Sequence, residues 1–197
     1  IRNRSICDLF EPGSVFKIVT ASTALEEKKV AEENKFFCEN GSYRVANHIL
    51  HDHRPHGWLS FKEVIEQSSN IGTTKVAQIL GSDLLYRYIK LFGFGSKLGI
   101  DLPGEIVGMI KEPRFWSKTS IGAVPIGQEV GVTALQLASA ISTIANGGQL
   151  MKPYIVKEIR DQYAEPIKQS SPKMMRKVIS LEAAQRANKI LVGVVEK

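Results

Sequence analysis

The chain of 197 residues is 43% hydrophobic and 23% charged, the composition of one globular domain large enough to bury a hydrophobic core. No apolar run approaches the ~18 residues of a membrane-spanning helix and no signal peptide opens the chain, so any anchor or export signal is expected outside it. The net charge of +6 is not gathered into a basic stripe interleaved with aromatic residues, which argues against a nucleic-acid partner.

Helical periodicity dominates the first half of the chain. The breaker Glu11-Pro12-Gly13 precedes the first predicted helix, and the capping box Ser60-Phe61-Lys62-Glu63 starts the second. Between them, a segment rich in Asn, Gly and His predicts a loop with short strands. The helices so predicted cover residues 14–27, about 61 onward, 70–80 and 83–92, and the loop with strands covers 34–58.

Glycine and proline residues interrupt the second half of the chain and separate its predicted elements. Frequent Gly and Pro over 96–128 predict an irregular connection, after which Thr133-Ala134-Leu135-Gln136 forms another capping box. That helix should end at Asn146-Gly147-Gly148. A strand is predicted over 154–159, and Ser180 should cap a last helix through about residue 195. The chain is therefore expected to be mostly helical with few short strands.

Ser14-Val15-Phe16-Lys17 is the strongest candidate for chemistry. On a helix, positions i and i+3 share a face, so the lysine amine can lie beside the serine hydroxyl and take its proton if burial lowers the lysine pKa. A helix N-terminus also favours a developing oxyanion. Taken alone, Ser14 is equally well explained as an N-cap and Lys17 as a solvated lysine.

A second S-x-x-K match, Ser170-Ser171-Pro172-Lys173, lies in a polar stretch broken by proline. Pro172 disfavours the continuous helix that would align its serine and lysine. We therefore predict that this copy carries no chemistry.

The surroundings of the first copy resemble class B penicillin-binding proteins. Phe10 to Lys17 is similar to their nucleophile segment, and Ser68-Ser69-Asn70 matches their second motif, S-x-N. Glu11 before Pro12 looks more like the division (septal) branch than the elongation branch. Further matches follow in family order at 92–95, 102–108, 127–137, 145–148 and Pro153.

The resemblance implies an α+β fold of the penicillin-binding protein and serine β-lactamase type, and a peptidoglycan D,D-transpeptidase. Ser14 would attack the penultimate D-alanine of a stem peptide, Lys17 would act as the base, and Ser68 would relay a proton to the leaving amine. Asn70 would hold Lys17 and the substrate amide. The implied partners are stem peptides, β-lactams and other cell-division or cell-wall synthesis proteins, without a cofactor, on the outer side of the cytoplasmic membrane.

The chain departs from the family in its third motif, Lys-Ser/Thr-Gly. Lys118-Thr119-Ser120 lacks the glycine and precedes the helix that the family's motif follows. The resemblance therefore makes residues 1–197 a partial transpeptidase domain, with the third motif after Lys197 and most of the central sheet missing. On that basis Phe16, Val19 and their neighbours should be exposed or covered by a non-native contact such as a second copy.

Four histidines, at 48, 51, 53 and 56, crowd around Asp52. Such crowding could mark a zinc site, but no H-E-x-x-H motif accompanies it, so ordinary loop histidines are favoured. Cys7 and Cys38 are expected to be unpaired thiols rather than one bridge.

Two other functions fit part of the pattern. A β-lactam-hydrolysing or β-lactam-sensing relative would share the serine, although no residue here is identifiable as a base for water. A non-catalytic interaction module of a cell-wall synthesis complex would use the helices only as a scaffold.

Overall fold

The computed structural model describes residues 2–195, and helices dominate it. No helix in this part of the chain combines the length and apolar character needed to cross a membrane. The helices are α1 (Arg4–Cys7), α2 (Lys17–Glu26), α3 (Phe61–Glu66), α4 (Asn70–Leu80), α5 (Ser82–Leu91), α6 (Ser120–Ala123), α7 (Ala134–Ala145) and α8 (Leu181–Val195).

The strands form four separate two-stranded antiparallel sheets across the described residues. Two of these sheets lie within the segment predicted as a loop with short strands. The pairs are β1 (Lys35–Phe37) with β4 (Trp58–Ser60), β2 (Ser42–Val45) with β3 (His48–His51), β5 (Gln149–Met151) with β8 (Met174–Lys177), and β6 (Glu158–Arg160) with β7 (Pro166–Gln169).

Both predicted capping boxes are confirmed. The Ser60 hydroxyl accepts from the Glu63 N–H while the Glu63 carboxylate accepts from the Ser60 N–H, and Thr133 and Gln136 make the same exchange at α7. Because each box satisfies two otherwise free backbone N–H groups, it fixes the residue at which the helix begins. The last helix also begins as predicted, with the Ser180 hydroxyl accepting from the Ala183 N–H.

The predicted strand over 154–159 is largely wrong, because only its last residues belong to β6. The N–H groups of Ile155 and Val156 donate to the Asp101 carboxylate at 2.8 Å each. A side chain distant in sequence thus takes the donors that a neighbouring strand would have used.

Helix α2 forms the centre of the core, and its residues from Lys17 to Leu25 are all buried. It packs against α3, α4, α5 and α8. Phe16 and Val19 are 0% exposed, and the Phe16 ring lies 5.0 Å from that of Phe94. The expectation that these residues would be exposed or covered by a second copy is therefore wrong, because helices of the same chain surround α2.

Candidate active site

Ser14 lies where a buried helix reaches the surface. A short 3-10 helix, Gly13–Phe16, runs directly into α2, so Ser14 is exposed while Phe16 and Lys17 are buried. Residues three apart eclipse each other in a 3-10 helix, which places Ser14 and Lys17 on one face. The two side chains are not joined by a hydrogen bond in residues 2–195, and such contacts are often loose before substrate binds.

The segment before Ser14 is fastened to residues 127–132. Phe10 and Val132 exchange backbone hydrogen bonds of 3.1 and 3.0 Å, and the Gly13 N–H donates to the Gly127 carbonyl at 3.1 Å. The Glu11 carboxylate accepts from the Glu129 N–H at 2.9 Å. The position of Ser14 therefore depends on a strand-like contact more than a hundred residues away in sequence.

Gly127 permits this contact, and we expect its replacement by alanine to destabilise the fold. Its φ is +79°, and an added Cβ would collide with the Gly13 backbone. The left-handed backbone alone costs about 1–2 kcal/mol in a non-glycine residue, and the collision adds to it. The matched control is Gly104→Ala, since Gly104 has a φ of +89° with no atom within 4 Å. Urea denaturation should show a larger loss for Gly127→Ala, and equal losses would contradict this account.

Lys17 is a buried amine that donates two hydrogen bonds to one residue of the second motif. Its side chain is 2% exposed, and Nζ donates to the Ser68 carbonyl at 2.5 Å and to the Ser68 hydroxyl at 3.0 Å. Burial lowers the pKa of Lys17 to about 8, against the opposing effect of the Asp52 charge. A fraction of the amine is therefore neutral near neutral pH, as a general base for serine requires.

The second motif forms the turn between α3 and α4. Ser68 is exposed and has a φ of +54°, while Ser69 is buried and caps α4 by accepting from the Gly72 N–H at 2.9 Å. The Asn70 side chain donates to the His51 carbonyl at 2.8 Å. Within the described residues no hydrogen bond joins Asn70 to Lys17, so it is Ser68 that holds the amine in this structure.

The lowered pKa of Lys17 should be measurable as a pH dependence of stability. Between about pH 8 and 10.5, the unfolded chain holds the lysine proton that the folded chain has lost, so stability rises with pH over this window. From pH 7 to pH 10 the free energy of unfolding of the parent should increase by about 2–3 kcal/mol relative to Lys17→Met. Urea denaturation of both proteins at the two pH values measures this, and parallel pH dependences would show that Lys17 titrates normally.

Asp52 belongs to the site, although the sequence suggested it only as a metal ligand. Its carboxylate accepts from the Ser69 hydroxyl at 2.7 Å and from the Ile71 N–H at 3.0 Å. Nothing in the local pattern around Asp52 signals these contacts, because they join a loop to a helix that begins 18 residues later. In residues 2–195 no three His, Cys, Asp or Glu side chains converge as around a metal ion.

The two cysteines and the second S-x-x-K match lie apart from this chemistry. Cys7 and Cys38 are free thiols, as predicted, and buried Cys38 accepts a 3.4 Å hydrogen bond from the Ser69 hydroxyl. Ser170 to Lys173 form no helix. The helical alignment that the first match possesses is therefore absent from the second.

Several known proteins are similar to this chain in sequence and in fold. Stage V sporulation protein D of Bacillus subtilis is 37% identical over 98% of the chain, and peptidoglycan D,D-transpeptidase FtsI of Escherichia coli is 34% identical over 75%. The chain spans 30% and 25% of their lengths, respectively. The crystal structure of penicillin-binding protein 3 from Mycobacterium tuberculosis, complexed with aztreonam, superposes with a TM-score of 0.91 at 31% identity. That alignment covers 99% of this chain and 44% of the other.

The family assignment rests on the whole length of the chain. Residues 1–197 match the family described as penicillin-binding protein transpeptidase domain. The α+β fold expected from the resemblance is the fold of these structural neighbours, in a chain whose described part is mainly helical. The chain therefore belongs to the transpeptidase domain family of the penicillin-binding proteins.

Proposed function

We propose that this chain carries the nucleophile and the proton-transfer groups of a peptidoglycan D,D-transpeptidase. The observation that carries the proposal is the buried Lys17 amine, which lies one helical turn after exposed Ser14 and is hydrogen-bonded to Ser68. A base with a pKa near the working pH, beside a serine at a helix N-terminus, is suited to acyl transfer. The names of the relatives support the same reaction.

In the first step, Lys17 Nζ takes the Ser14 hydroxyl proton as Ser14 Oγ bonds to the carbonyl carbon of the penultimate D-alanine. The C–N bond to the terminal D-alanine then breaks, and Ser68 passes the proton from Lys17 to the departing amine. Backbone N–H groups at the start of the helix would stabilise the oxyanion formed on the carbonyl. The product is an ester between Ser14 and the donor stem peptide.

In the second step, an amine of a neighbouring stem peptide attacks the ester carbon and gives up its proton through the same groups. The Ser14–carbon bond breaks, Ser14 recovers its proton, and an amide links the two peptides. A β-lactam would acylate Ser14 in the same way, because its ring amide stands in for the D-alanyl-D-alanine bond. Asn70, whose amide now donates to His51, would turn toward the bound peptide amide.

The remaining assignments extend beyond residues 1–197. Because the chain spans 30% and 25% of the two curated relatives named above, we propose that it forms part of a transpeptidase domain whose Lys-Ser/Thr-Gly motif lies outside it. We also propose a septal role, which Glu11 before Pro12 favours, on the outer side of the cytoplasmic membrane, with partners in cell-division or cell-wall synthesis complexes. Lys118-Thr119-Ser120 is not proposed as the third motif, since it precedes α7 and has Ser120, a buried serine that donates to Glu129 at 2.7 Å, where the family has glycine.

The test is the fate of the acyl-enzyme in the full-length protein. A transpeptidase should hold a penicilloyl group for many minutes and should join a donor stem peptide to an added D-amino acid. Mass spectrometry of the protein and of the peptide products measures both. Turnover of penicillin within seconds, without peptide exchange, would assign the protein to the β-lactam-hydrolysing class instead.

A further inference from the structure

Asp52 joins the loop after β3 to the middle of the second motif and to the residue that follows the motif. Its two carboxylate oxygens accept from the Ser69 hydroxyl and from the Ile71 N–H, at 2.7 and 3.0 Å. Its own N–H donates to the Gly41 carbonyl at 3.2 Å, which fixes the loop. The preceding residue, His51, accepts from the Asn70 side chain. The last residue of β3 and the residue after it thus hold the three residues that follow Ser68.

These contacts matter because Ser68 has an unfavourable backbone. A φ of +54° in a residue other than glycine costs about 1–2 kcal/mol, and it persists only where the neighbours enforce it. On one side the Ser68 N–H donates to the Ile65 carbonyl at 3.0 Å, and on the other Asp52 holds Ser69. In this conformation Ser68 turns both its carbonyl and its hydroxyl toward Lys17 Nζ.

The Asp52 carboxylate is also the charge that acts on the Lys17 amine from across the site. Among the described residues, the Asp52 charge raises the pKa of Lys17 and so opposes the larger effect of burial, which lowers it. The titratable groups near Asp52 include its chain neighbours His51 and His53, Lys75 on α4, which donates to Glu39 and to the Phe37 carbonyl, and the buried Cys38 thiol. Lys75 is therefore already neutralised by Glu39.

We propose that Asp52 is a positioning residue for the candidate base: it holds Ser68 against Lys17 and stabilises the ammonium that forms when Lys17 takes the Ser14 proton. The inference rests on the proposed function for its catalytic consequence. Its structural part, the hold of Asp52 on the turn that presents Ser68 to Lys17, stands on the contacts alone. Asparagine at position 52 has the same shape without the charge, so it should preserve much of the turn around Ser68.

The experiment replaces Asp52 with asparagine and follows Lys17 in two ways. In the 197-residue chain, NMR of side-chain-labelled lysine, assigned with Lys17→Arg, should show the Lys17 pKa falling by about half a unit or more. In the full-length protein, the acid limb of penicillin acylation should move to lower pH by the same amount. At high pH the acylation rate should fall several-fold, because the amine has become a weaker base.

The matched control is Asp101→Asn, which alters an aspartate that also accepts from two backbone N–H groups but lies outside the site. It should leave the Lys17 pKa and the pH profile unchanged. Asp52→Glu restores the charge and should return both readouts toward the parent values, which also tests the proposal if Asp52→Asn folds poorly. A purely structural role for Asp52 would change rates without moving the pH profile.

An unchanged Lys17 pKa in a folded Asp52→Asn chain would overturn the inference, whatever the activity. Equal shifts with Asp101→Asn would overturn it too, because the effect would then be one of net charge. A parent protein that penicillin does not acylate would contradict the proposed function. In that case the NMR titration still decides whether Asp52 and Lys17 are coupled.

Discussion

Replacing Lys17 with arginine should lower the rate of acylation by penicillin at least about 10²-fold, the usual contribution of a general base. Arginine keeps the positive charge, but its guanidinium stays protonated at any working pH and cannot accept the Ser14 proton. The site that holds Lys17 is closed, with the side chain 2% exposed and Nζ bonded twice to Ser68. Stopped-flow acylation of the full-length variant measures the rate.

The control for this prediction comes from the second S-x-x-K match. Lys173 is exposed and follows no helical serine, so Lys173→Arg should acylate at the parent rate. Circular dichroism should show that Lys17→Arg remains folded, since arginine is larger than the space it enters. A folded Lys17→Arg protein that reacts within a few-fold of the parent would remove Lys17 from the role of base.

Replacing Ser14 with alanine should have a still larger effect and abolish the covalent adduct with penicillin. Loss of a serine nucleophile typically costs 10⁴-fold or more, because the oxyanion donors and binding groups alone cannot form an acyl-enzyme. Ser14 is exposed and makes no side-chain hydrogen bond in residues 2–195, so the fold should be unaffected. Fluorescent penicillin followed by gel electrophoresis measures the adduct, with Ser170→Ala as the control that should label normally. Labelling of folded Ser14→Ala at the parent level would contradict the proposal.

Local signals predicted most of the helices, because the residues that define a helix end are neighbours in sequence. The capping boxes at Ser60 and Thr133 place the starts of α3 and α7 at the residue. The stretch 70–80 coincides with α4, since Gly81 with a φ of +80° ends it. The S-x-x-K spacing similarly places Ser14 and Lys17 within one helical turn.

Contacts between distant segments escaped prediction. The burial of α2 depends on α8, which begins more than 150 residues after it, and Phe16 packs against Phe94. The unpaired stretch before β6 depends on Asp101, and the conformation of Ser68 depends on Asp52. A single sequence carries no local pattern for such partners. Only the family resemblance placed Ser68 in the same site as Lys17, and it did not predict the hydrogen bonds between them. The resemblance also implied a contact of Asn70 with Lys17, whereas the Asn70 side chain donates to the His51 carbonyl in this structure.

If Ser14 is the nucleophile, penicillin must become attached to this serine and to no other. The full-length protein is treated with penicillin, digested, and its peptides are sequenced by tandem mass spectrometry. We expect one penicilloyl group, on the peptide that contains Ser14, and none on peptides containing Ser68 or Ser170. An adduct mapped to Ser68 or Ser170, with Ser14 unmodified, would contradict it.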